Sequence, residues 1–404
     1  MKVLLVNDYS YPFGGAEIQT LAIRDSLRAI GHDARIFASS AAPLNVESRA
    51  DYHCFGTMSR FRTLLQTANP SAYWRLHQVL NEFQPDLVHV RMLLSQISPL
   101  ILPLLNLVPS LYHVVWYRPI CPTGIKLLPN GESCGFQAGW VCYQQGCVPL
   151  RDWVPVMLQL KLWQAQHMNF RMIIANSEAV GQRLRAEGID VAGVLHNLVP
   201  LQPERPPLSS PPIIAFAGRL VKEKGIDVAI RATARIISRL PLLQFWIAGD
   251  GPEKQSLIDL VNQLRLTDHV RFLGHLSQSE LACRLASAWV QVVPSRWAEP
   301  FGNITTEAMM RGTAVVATAC GGSLEIVKEG ETGFLVPPGD DQILAERLLT
   351  ILTDQELAER LGRAGRQRML EKFGQDTYLH QLLAIYQKVL EGSRNKMNVA
   401  QEHC

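Results

Sequence analysis

Residues 1–38, MKVLLVNDYSYPFGGAEIQTLAIRDSLRAIGHDARIFA, contain the pattern that decides the fold. The short, nearly continuous apolar run at 3–7 is typical of a strand that is buried on both faces of a sheet. Gly14-Gly15 marks a turn, and Gly31 is placed to end a helix that begins near Ala16. A third segment, 34–38, predicts another strand. The helix carries its apolar stripe on four residues: Ala16, Ile23, Leu27 and Ile30.

The same alternation of strand and helix continues through the chain. Further apolar runs predict strands at 87–90, 111–115, 172–175, 213–217, 245–248, 270–273, 290–293 and 314–317. This rhythm predicts an α/β protein made of two Rossmann-like, doubly wound domains with parallel sheets. Two such domains form a cleft between them, which is where ligands commonly bind.

The domain boundaries follow from a change in composition. Six prolines lie in 199–212, which predicts a linker between a first domain at 1–198 and a second at 213–376. The remaining segment, 377–404, is predicted to contain a helix that could cross back onto the first domain.

Composition and charge narrow the class of protein. The 404 residues are 47% hydrophobic and 19% charged, as expected of a globular protein. The formal net charge of +3 is too small to favour a nucleic-acid partner. The first apolar run is too short for a signal peptide, and 97–108 is too short to span a bilayer. We therefore expect a cytoplasmic protein.

Tryptophan and arginine recur in the segments 60–75 and 153–163. Such segments could lie peripherally on the inner face of a membrane, or they could be helices that pack within the domain. The sequence leaves both interpretations open.

The stretch 294–310, PSRWAEPFGNITTEAMM, places two carboxylates after a predicted strand. Glu299 lies in the loop, and Glu307 lies about one turn inside a helix that begins near Asn303. Helix starts present backbone N–H groups that favour anions or hydroxyls. Because seven residues separate the two carboxylates across different elements, they are predicted to face one cleft and not to form a close catalytic pair.

Cations and glycines mark the ends of neighbouring strands. Arg219 follows the strand at 213–217, and Lys224 precedes the next helix, where a guanidinium and an ammonium suit a diphosphate. Glycine turns at 249–252 and 321–322 follow two other strands.

Together these segments resemble glycosyltransferase family 4, whose members are retaining enzymes of the GT-B fold. The matching pieces are Gly218-Arg219 with Glu223-Lys224-Gly225, Gly249-Asp250-Gly251-Pro252, the stretch 299–307, Gly321-Gly322-Ser323-Leu324-Glu325-Ile326, Gly14-Gly15-Ala16-Glu17 and Gly31-His32-Asp33.

The resemblance implies roles for particular residues. Arg219 and Lys224 would hold the donor diphosphate, Glu307 would bind the ribose hydroxyls, and Glu299 would contact the transferred sugar. Gly15 would let the backbone of the first domain approach the donor. Three further donor contacts are implied through the backbone: Phe301, Gly302 and Asn303.

The resemblance also implies an activity. The enzyme would move a hexosyl unit from a nucleotide diphosphate sugar to a saccharide or lipid-linked acceptor, in the synthesis of cell-surface polysaccharide or glycoconjugates. It would need neither a cofactor nor a metal, because Arg219 and Lys224 supply the positive charge at the phosphates.

The acceptor side departs from the family pattern. Family members often carry a His-Asp pair where this chain has Val115-Trp116. His113 lies two residues earlier and could substitute for the missing histidine, or it could be a buried structural histidine, as could His89. Arg118 and Lys126 could meet an anionic acceptor or could simply be exposed.

Four cysteines cluster in the first half, with spacings unlike those of common zinc sites. A structural metal and paired or buried thiols all remain open for this set: Cys121, Cys134, Cys142 and Cys147.

Three other functions compete with glycosyl transfer. A nucleotide-sugar epimerase shares the fold but needs an acid–base set that the sequence does not offer. A nicotinamide dehydrogenase is excluded because no G-x-G-x-x-G follows the first strand. A catalytically impaired sugar-nucleotide-binding protein stays open because the His-Asp pair is missing.

Overall fold

The computed structural model describes residues 1–11, 14–43, 46–59 and 62–401, with side chains as far as residue 392. The described chain forms two compact α/β units. The first contains Met1–Pro129, Gly135–Leu198 and the chain from Asp376 onward. The second contains Asn130–Cys134 and Val199–Gln375.

Among its described residues, the first unit has a seven-stranded parallel sheet with the strand order β3-β2-β1-β4-β5-β6-β7. The strands are β1 (Lys2–Asn7), β2 (Asp33–Ser39), β3 (Tyr52–Cys54), β4 (Leu87–Val90), β5 (Ser110–Val114), β6 (Met172–Ala175) and β7 (Gly193–Val194). The helices before the linker are α1 (Gly15–Ala29), α2 (Arg62–Thr67), α3 (Pro70–Phe83), α4 (Val141–Gln144), α5 (Leu150–Gln166) and α6 (Glu178–Ala186), with 3-10 turns at Pro99–Asn106 and His167–Asn169.

The second unit has a six-stranded parallel sheet in its described residues, with the order β10-β9-β8-β11-β12-β13. The strands are β8 (Ile213–Ala217), β9 (Gln244–Ala248), β10 (Val270–Gly274), β11 (Val290–Val293), β12 (Ala314–Thr318) and β13 (Gly333–Val336). The helices are α7 (Ile226–Ile236), α8 (Lys254–Gln263), α9 (Gln278–Arg284), α10 (Asn303–Met310), α11 (Ser323–Ile326), α12 (Asp341–Leu352) and α13 (Gln355–Phe373), with 3-10 turns at Lys222–Lys224 and Leu285–Ser287.

These two parallel-sheet units confirm the predicted α/β class. The central strands β1 and β8 are buried on both faces, as their apolar runs predict. β11 is also buried throughout, although Gln291 interrupts its apolar run. In α1 the predicted stripe is correct at Ile23 and Leu27, which are fully buried. It is wrong at Ile30, which is 45% exposed because it caps the helix beyond its last turn.

The long terminal helix α14 (Gln375–Gln401) packs its apolar face on the sheet of the first unit. Tyr386 and Leu382 are fully buried there among side chains of β1, β2 and β4. The hydroxyl of Tyr386 lies 2.8 Å from Nδ1 of His89, in the middle of β4. The first unit is therefore built from both ends of the chain.

Within the described residues, none of the helices is both long enough and apolar enough to cross a membrane.

Candidate active site

The carboxyl edge of the second sheet brings together a lysine and a glutamate that lie 75 positions apart in sequence. Lys224 ends the 3-10 turn that follows β8, and Glu299 lies in the loop between β11 and α10. Since β8 and β11 are adjacent parallel strands, both loops leave the sheet at one edge. Nζ of Lys224 donates a hydrogen bond of 2.8 Å to Oε1 of Glu299.

The pair is largely removed from solvent. The side chains of Lys224 and Glu299 are only 12% and 7% exposed, and the Lys224 ammonium lies 5.9 Å from the ring centroid of Trp297. The hydroxyl of Ser295 donates a second hydrogen bond to Glu299. The site therefore holds a fixed cation and a fixed carboxylate side by side.

Burial by itself would raise the pKa of the Glu299 carboxyl. The charge of Lys224 and the hydrogen bonds from Lys224 and Ser295 outweigh burial and hold the pKa below its ordinary value. Glu299 is therefore an anion at neutral pH, suited to accept hydrogen bonds from hydroxyl groups.

Backbone contacts fix the Lys224 turn against the loop of Glu299. Gly225 follows Lys224 with a φ of 65°, and a Cβ there would lie 2.0 Å from the carbonyl oxygen of Pro294. Only glycine permits this approach. The backbone N–H of Arg296 donates to the carbonyl of Glu223 at 2.8 Å. The two loops therefore meet main chain to main chain.

An ion pair on α7 strengthens the same junction. Both terminal nitrogens of the Arg296 guanidinium donate to the carboxylate of Asp227, at 2.7 and 2.6 Å. Asp227 lies in the first turn of α7, directly after the Lys224 turn. Sequence reasoning missed both residues, although Arg296 lies inside the stretch 294–310.

The glycine turn after β12 closes the other side of the Glu299 loop. The N–H of Gly322 donates to the carbonyl of Glu299 at 2.9 Å. A Cβ at Gly321 would lie 2.3 Å from the same oxygen. Cys320, also missed, contacts the carbonyl of Trp297 through its thiol at 3.2 Å.

Arg219 lies at the same edge of the sheet but in a different environment. Its side chain is 70% exposed, and its closest carboxylate oxygen, on Glu223, is 3.9 Å away. The guanidinium therefore remains largely solvated and can turn toward an anionic ligand.

Glu307 lies in α10, the helix that follows the loop of Glu299. Burial raises the pKa of its carboxyl, and the positive charge of Arg311 only partly offsets that effect. The helix begins at Asn303, as predicted, after Gly302, whose φ is 108°. The preceding Phe301 is 2% exposed and packs with its ring centroid 5.9 Å from that of Phe373.

The glycine turn before α1 is the segment of the first unit that is predicted to approach the donor. Gly14 caps the helix in an extended conformation, and Gly15 is exposed as its first residue. Glu17, in the first turn of the helix, is 4% exposed, and burial raises its pKa to about 7. The role of Gly15 stays a prediction.

His113 belongs to the core of the first sheet. It lies in β5, is fully buried, and has Nε2 at 2.9 Å from the carbonyl oxygen of Leu195. Its ring stacks on His89 at 5.7 Å between centroids. Burial, aided by the nearby Arg91 charge, holds the pKa of His113 well below its ordinary value. This environment is that of a structural histidine, and it does not favour the suggested catalytic role.

The two cations that were candidates for an anionic acceptor are buried and engaged. Arg118 is 5% exposed and donates to the side-chain oxygens of Gln66 and Gln159, at 3.0 and 2.9 Å. Lys126 is 6% exposed and pairs with Glu187 at 2.8 Å. The alternative of simple exposure is wrong, because distant parts of the chain supply polar partners for both side chains. Contact of either residue with an anionic acceptor stays a prediction.

The cysteines give no support to a metal site. Throughout the described ranges, no group of three or more His, Cys, Asp or Glu side chains is placed to hold a metal ion. Cys121 is buried with its thiol 3.2 Å from the hydroxyl of Thr123, and Cys142 is buried in the short helix α4. The alternative of a metal held by Cys121, Cys134, Cys142 and Cys147 is therefore not favoured.

Comparison with known proteins places this site in a family. The model described as "Glycosyltransferase Family 4" matches residues 13–203, and the model described as "Glycosyl transferases group 1" matches 201–368. The glycogen synthase of Mycobacterium tuberculosis (strain CDC 1551 / Oshkosh) is 36% identical over 190 residues, which are 47% of this chain and 46% of that protein. The chain thus spans about half the length of the curated relatives it matches.

Solved structures of other proteins match the fold of this protein over almost the whole chain. The sucrose-phosphate synthase of Thermosynechococcus elongatus superposes with a TM-score of 0.73 at 24% identity, covering 97% of this chain and 99% of that one. HepE of Anabaena, solved in complex with UDP-glucose, has a TM-score of 0.66 at 19% identity, covering 96% and 100%. At these identities the likeness establishes the fold. Since the two family models together reach from residue 13 to residue 368, this chain belongs to the family 4 type of glycosyltransferases with the GT-B fold.

Proposed function

We propose that this protein is a retaining glycosyltransferase that moves a hexosyl unit from a nucleoside diphosphate sugar to a saccharide or lipid-linked acceptor. The product would be a cell-surface polysaccharide or glycoconjugate. The observation that carries the proposal is the buried Lys224–Glu299 pair, beside the exposed Arg219, at the carboxyl edge of the second sheet.

The charges at this edge match those that develop during transfer. As the bond from the anomeric carbon to phosphate breaks, positive charge grows on the sugar ring and negative charge on the leaving diphosphate. Lys224 has three N–H donors, so it can contact a phosphate oxygen while it keeps its hydrogen bond to Glu299. Arg219 can reach a second phosphate oxygen. Fixed cations at the leaving group lower the barrier without any rearrangement during the reaction.

The sugar and the nucleoside would meet different carboxylates. Glu299, held as an anion, would accept hydrogen bonds from hydroxyls of the transferred sugar. Glu307, whose raised pKa marks a less polar setting, would bind the ribose hydroxyls. The backbone of Phe301, Gly302 and Asn303, where α10 begins, would add N–H donors.

Proton transfer in this scheme needs no protein base. The leaving phosphate oxygen would take the proton from the acceptor hydroxyl as the new bond forms on the same face of the sugar. Because Arg219 and Lys224 already provide two positive charges, we expect donor binding and turnover to persist in the presence of EDTA. The structure of HepE with UDP-glucose supports a nucleotide-sugar donor for this fold.

The first test is nucleotide binding. Thermal unfolding is measured with UDP, GDP and ADP side by side, and one of them should stabilise the protein strongly. A nucleotide present at 100 times its Kd adds about 2.7 kcal/mol to the free energy of unfolding. Lys224→Met and Glu307→Ala should each weaken that stabilisation. Equal, negligible shifts with all three nucleotides would contradict the proposal.

The second test is turnover. A panel of sugars on the preferred nucleotide is assayed for donor hydrolysis and transfer, with and without EDTA. The anomeric configuration of the product, read by NMR, tests retention directly.

A second candidate function is a sugar-nucleotide-binding protein with impaired transfer. It rests on Val115 and Trp116, which occupy the place of the family's His-Asp pair, and on His113, which is buried in the sheet. This candidate predicts strong stabilisation by a nucleotide without hydrolysis or transfer for any donor in the panel.

A further inference from the structure

Helix α5 of the first unit carries apolar side chains on two opposite sides. One side packs into the unit through Val156, Leu160 and Trp163, which are at most 4% exposed. The other side presents Leu150, Val154 and Leu158, which are 51%, 60% and 50% exposed. Because these three residues are spaced by four positions, they form one continuous stripe on the helix. A surface helix normally turns polar residues to solvent, so this stripe lacks an explanation within the described chain.

Aromatic side chains extend the stripe toward the loop before the helix. Trp153 donates its indole N–H to the carbonyl of Gly139 at 2.9 Å. The ring of Trp140 meets Trp153 edge-on at 5.2 Å and is itself 50% exposed. Tyr143, 37% exposed, lies 4.8 Å from Trp140 between ring centroids. We call the surface formed by Trp140, Tyr143, Leu150, Val154 and Leu158 the α5 face.

The segments that supply the α5 face carry more basic than acidic residues. Residues 62–75 and 136–169, which supply α5 and its neighbour α2, contain four basic residues and one acidic residue. Arg62, Arg151 and Lys161 are exposed. The single acid, Asp152, pairs with Arg151 at 2.9 Å, so these two charges offset each other and the net positive charge of α5 comes from Lys161. Helix α2 is fixed beside α5 by a hydrogen bond of 2.9 Å from Thr67 to the carbonyl of Pro155.

We propose that the α5 face docks on a lipid bilayer rich in anionic lipids. Exposed leucine and valine with tryptophan and tyrosine beside them are the side chains that enter the headgroup region, and the surrounding cations attract anionic lipids. A second copy of the chain fits less well, because a symmetric dimer would place the same basic groups against each other. A membrane-bound position would favour a lipid-linked acceptor over a soluble saccharide.

The experiment measures binding of the whole protein to vesicles by sedimentation. Vesicles of phosphatidylcholine alone are compared with equimolar phosphatidylcholine and phosphatidylglycerol, without any donor. We expect binding to the anionic vesicles only. The double variant Val154→Glu/Leu158→Glu should lower the partition coefficient about 100-fold, because each apolar side chain that no longer inserts into the bilayer lowers it roughly tenfold. Lys161→Gln should lower it about fivefold.

The controls separate docking from folding. Leu242→Glu changes a leucine of the second unit that is 71% exposed, and it should bind vesicles like the wild type. All variants should keep the wild-type unfolding temperature and the wild-type response to nucleotide, because the altered side chains are exposed.

Three results would overturn the assignment. They are a wild-type protein that does not sediment with anionic vesicles, a Val154→Glu/Leu158→Glu variant that binds as well as the wild type, and a wild-type dimer that this variant converts to monomers. Because no donor is present, failure here is independent of failure of the proposed transfer reaction.

Discussion

Replacing Lys224 by methionine tests the buried ion pair on which the proposed donor site depends. The change keeps most of the side-chain volume and removes the charge, leaving the Glu299 carboxylate buried beside Ser295. At 2.8 Å and an effective dielectric constant of about 20, the gross attraction within the pair is about 6 kcal/mol. Desolvation of both groups offsets much of that attraction in the wild type. Removal of one partner from a buried pair therefore costs about 3–5 kcal/mol.

The pH dependence of this loss has a definite sign. In the wild type the Glu299 pKa lies below its ordinary value of 4.5, so its stabilising effect is present above that value and is lost as pH falls through the folded pKa. In Lys224→Met, burial dominates and raises the pKa of Glu299. The cost of burying the unpaired Glu299 carboxylate is then present at neutral pH, and it is relieved as the carboxylate takes up a proton. The destabilisation should therefore shrink between about pH 7.5 and about pH 5.

Native-state hydrogen exchange is the suitable assay, because two units need not unfold together. Opening free energies for peptides of β8 and β11, corrected for intrinsic exchange rates, report on the second unit alone. Lys254→Met is the matched control. Its pair with Asp250 is 3.1 Å long but 38% and 56% exposed, so its loss should cost less than about 1 kcal/mol.

A double variant completes a double-mutant cycle for the Lys224–Glu299 pair. Lys224→Met/Glu299→Gln removes both charges and should be more stable than the sum of the single losses by about 2 kcal/mol. An opening free energy of Lys224→Met within about 1 kcal/mol of the wild-type value would refute this prediction. A loss that does not change between the two pH values would refute it as well.

Three further predictions concern other parts of the structure. Glu17→Gln should stabilise the first unit by about 3 kcal/mol well above pH 7 and have little effect near pH 5, because burial raises the Glu17 pKa to about 7; thermal unfolding against pH checks this. Asp227→Asn weakens the bidentate pair with Arg296, which is about one-quarter exposed, and should lower the free energy of unfolding by about 1 kcal/mol in urea titrations. Gly249→Ala should cost more than about 1 kcal/mol in the same titrations, because φ is 137° and a Cβ would lie 1.8 Å from the carbonyl oxygen of Gly218.

The sequence predicts best where burial is complete. The strand β11 and the start of α10 were both placed correctly, because three valines in four residues predict a strand and the Pro-Phe-Gly turn marks the start of the helix. The strands β3, β7 and β13 were missed. All three lie at the edges of their sheets. β3 and β7 have three and two residues, too few to show a hydrophobic pattern.

Side-chain partners were predicted less well than elements. Arg118 and Lys126 were expected either to meet an anionic acceptor or to be exposed, and their burial with partners 41 and 61 positions away was not foreseen. The Lys224–Glu299 pair was only half foreseen: both residues were assigned to the donor, and their direct contact was not. Such contacts depend on which strands are adjacent, and one-dimensional patterns do not contain that order.

The two carboxylates of the second unit have opposite electrostatic settings. The pKa of Glu299 is held down by Lys224 and Ser295, whereas burial raises that of Glu307. An acid–base pair at a glycosidic bond needs one carboxyl group that can give up a proton near neutral pH. Glu299 cannot serve as that acid, because its proton is already lost at neutral pH. This setting supports the proposed role of Glu299 in binding hydroxyls of the transferred sugar. If transfer uses the leaving phosphate as the base, its rate above about pH 5 should not report the ionisation of Glu299.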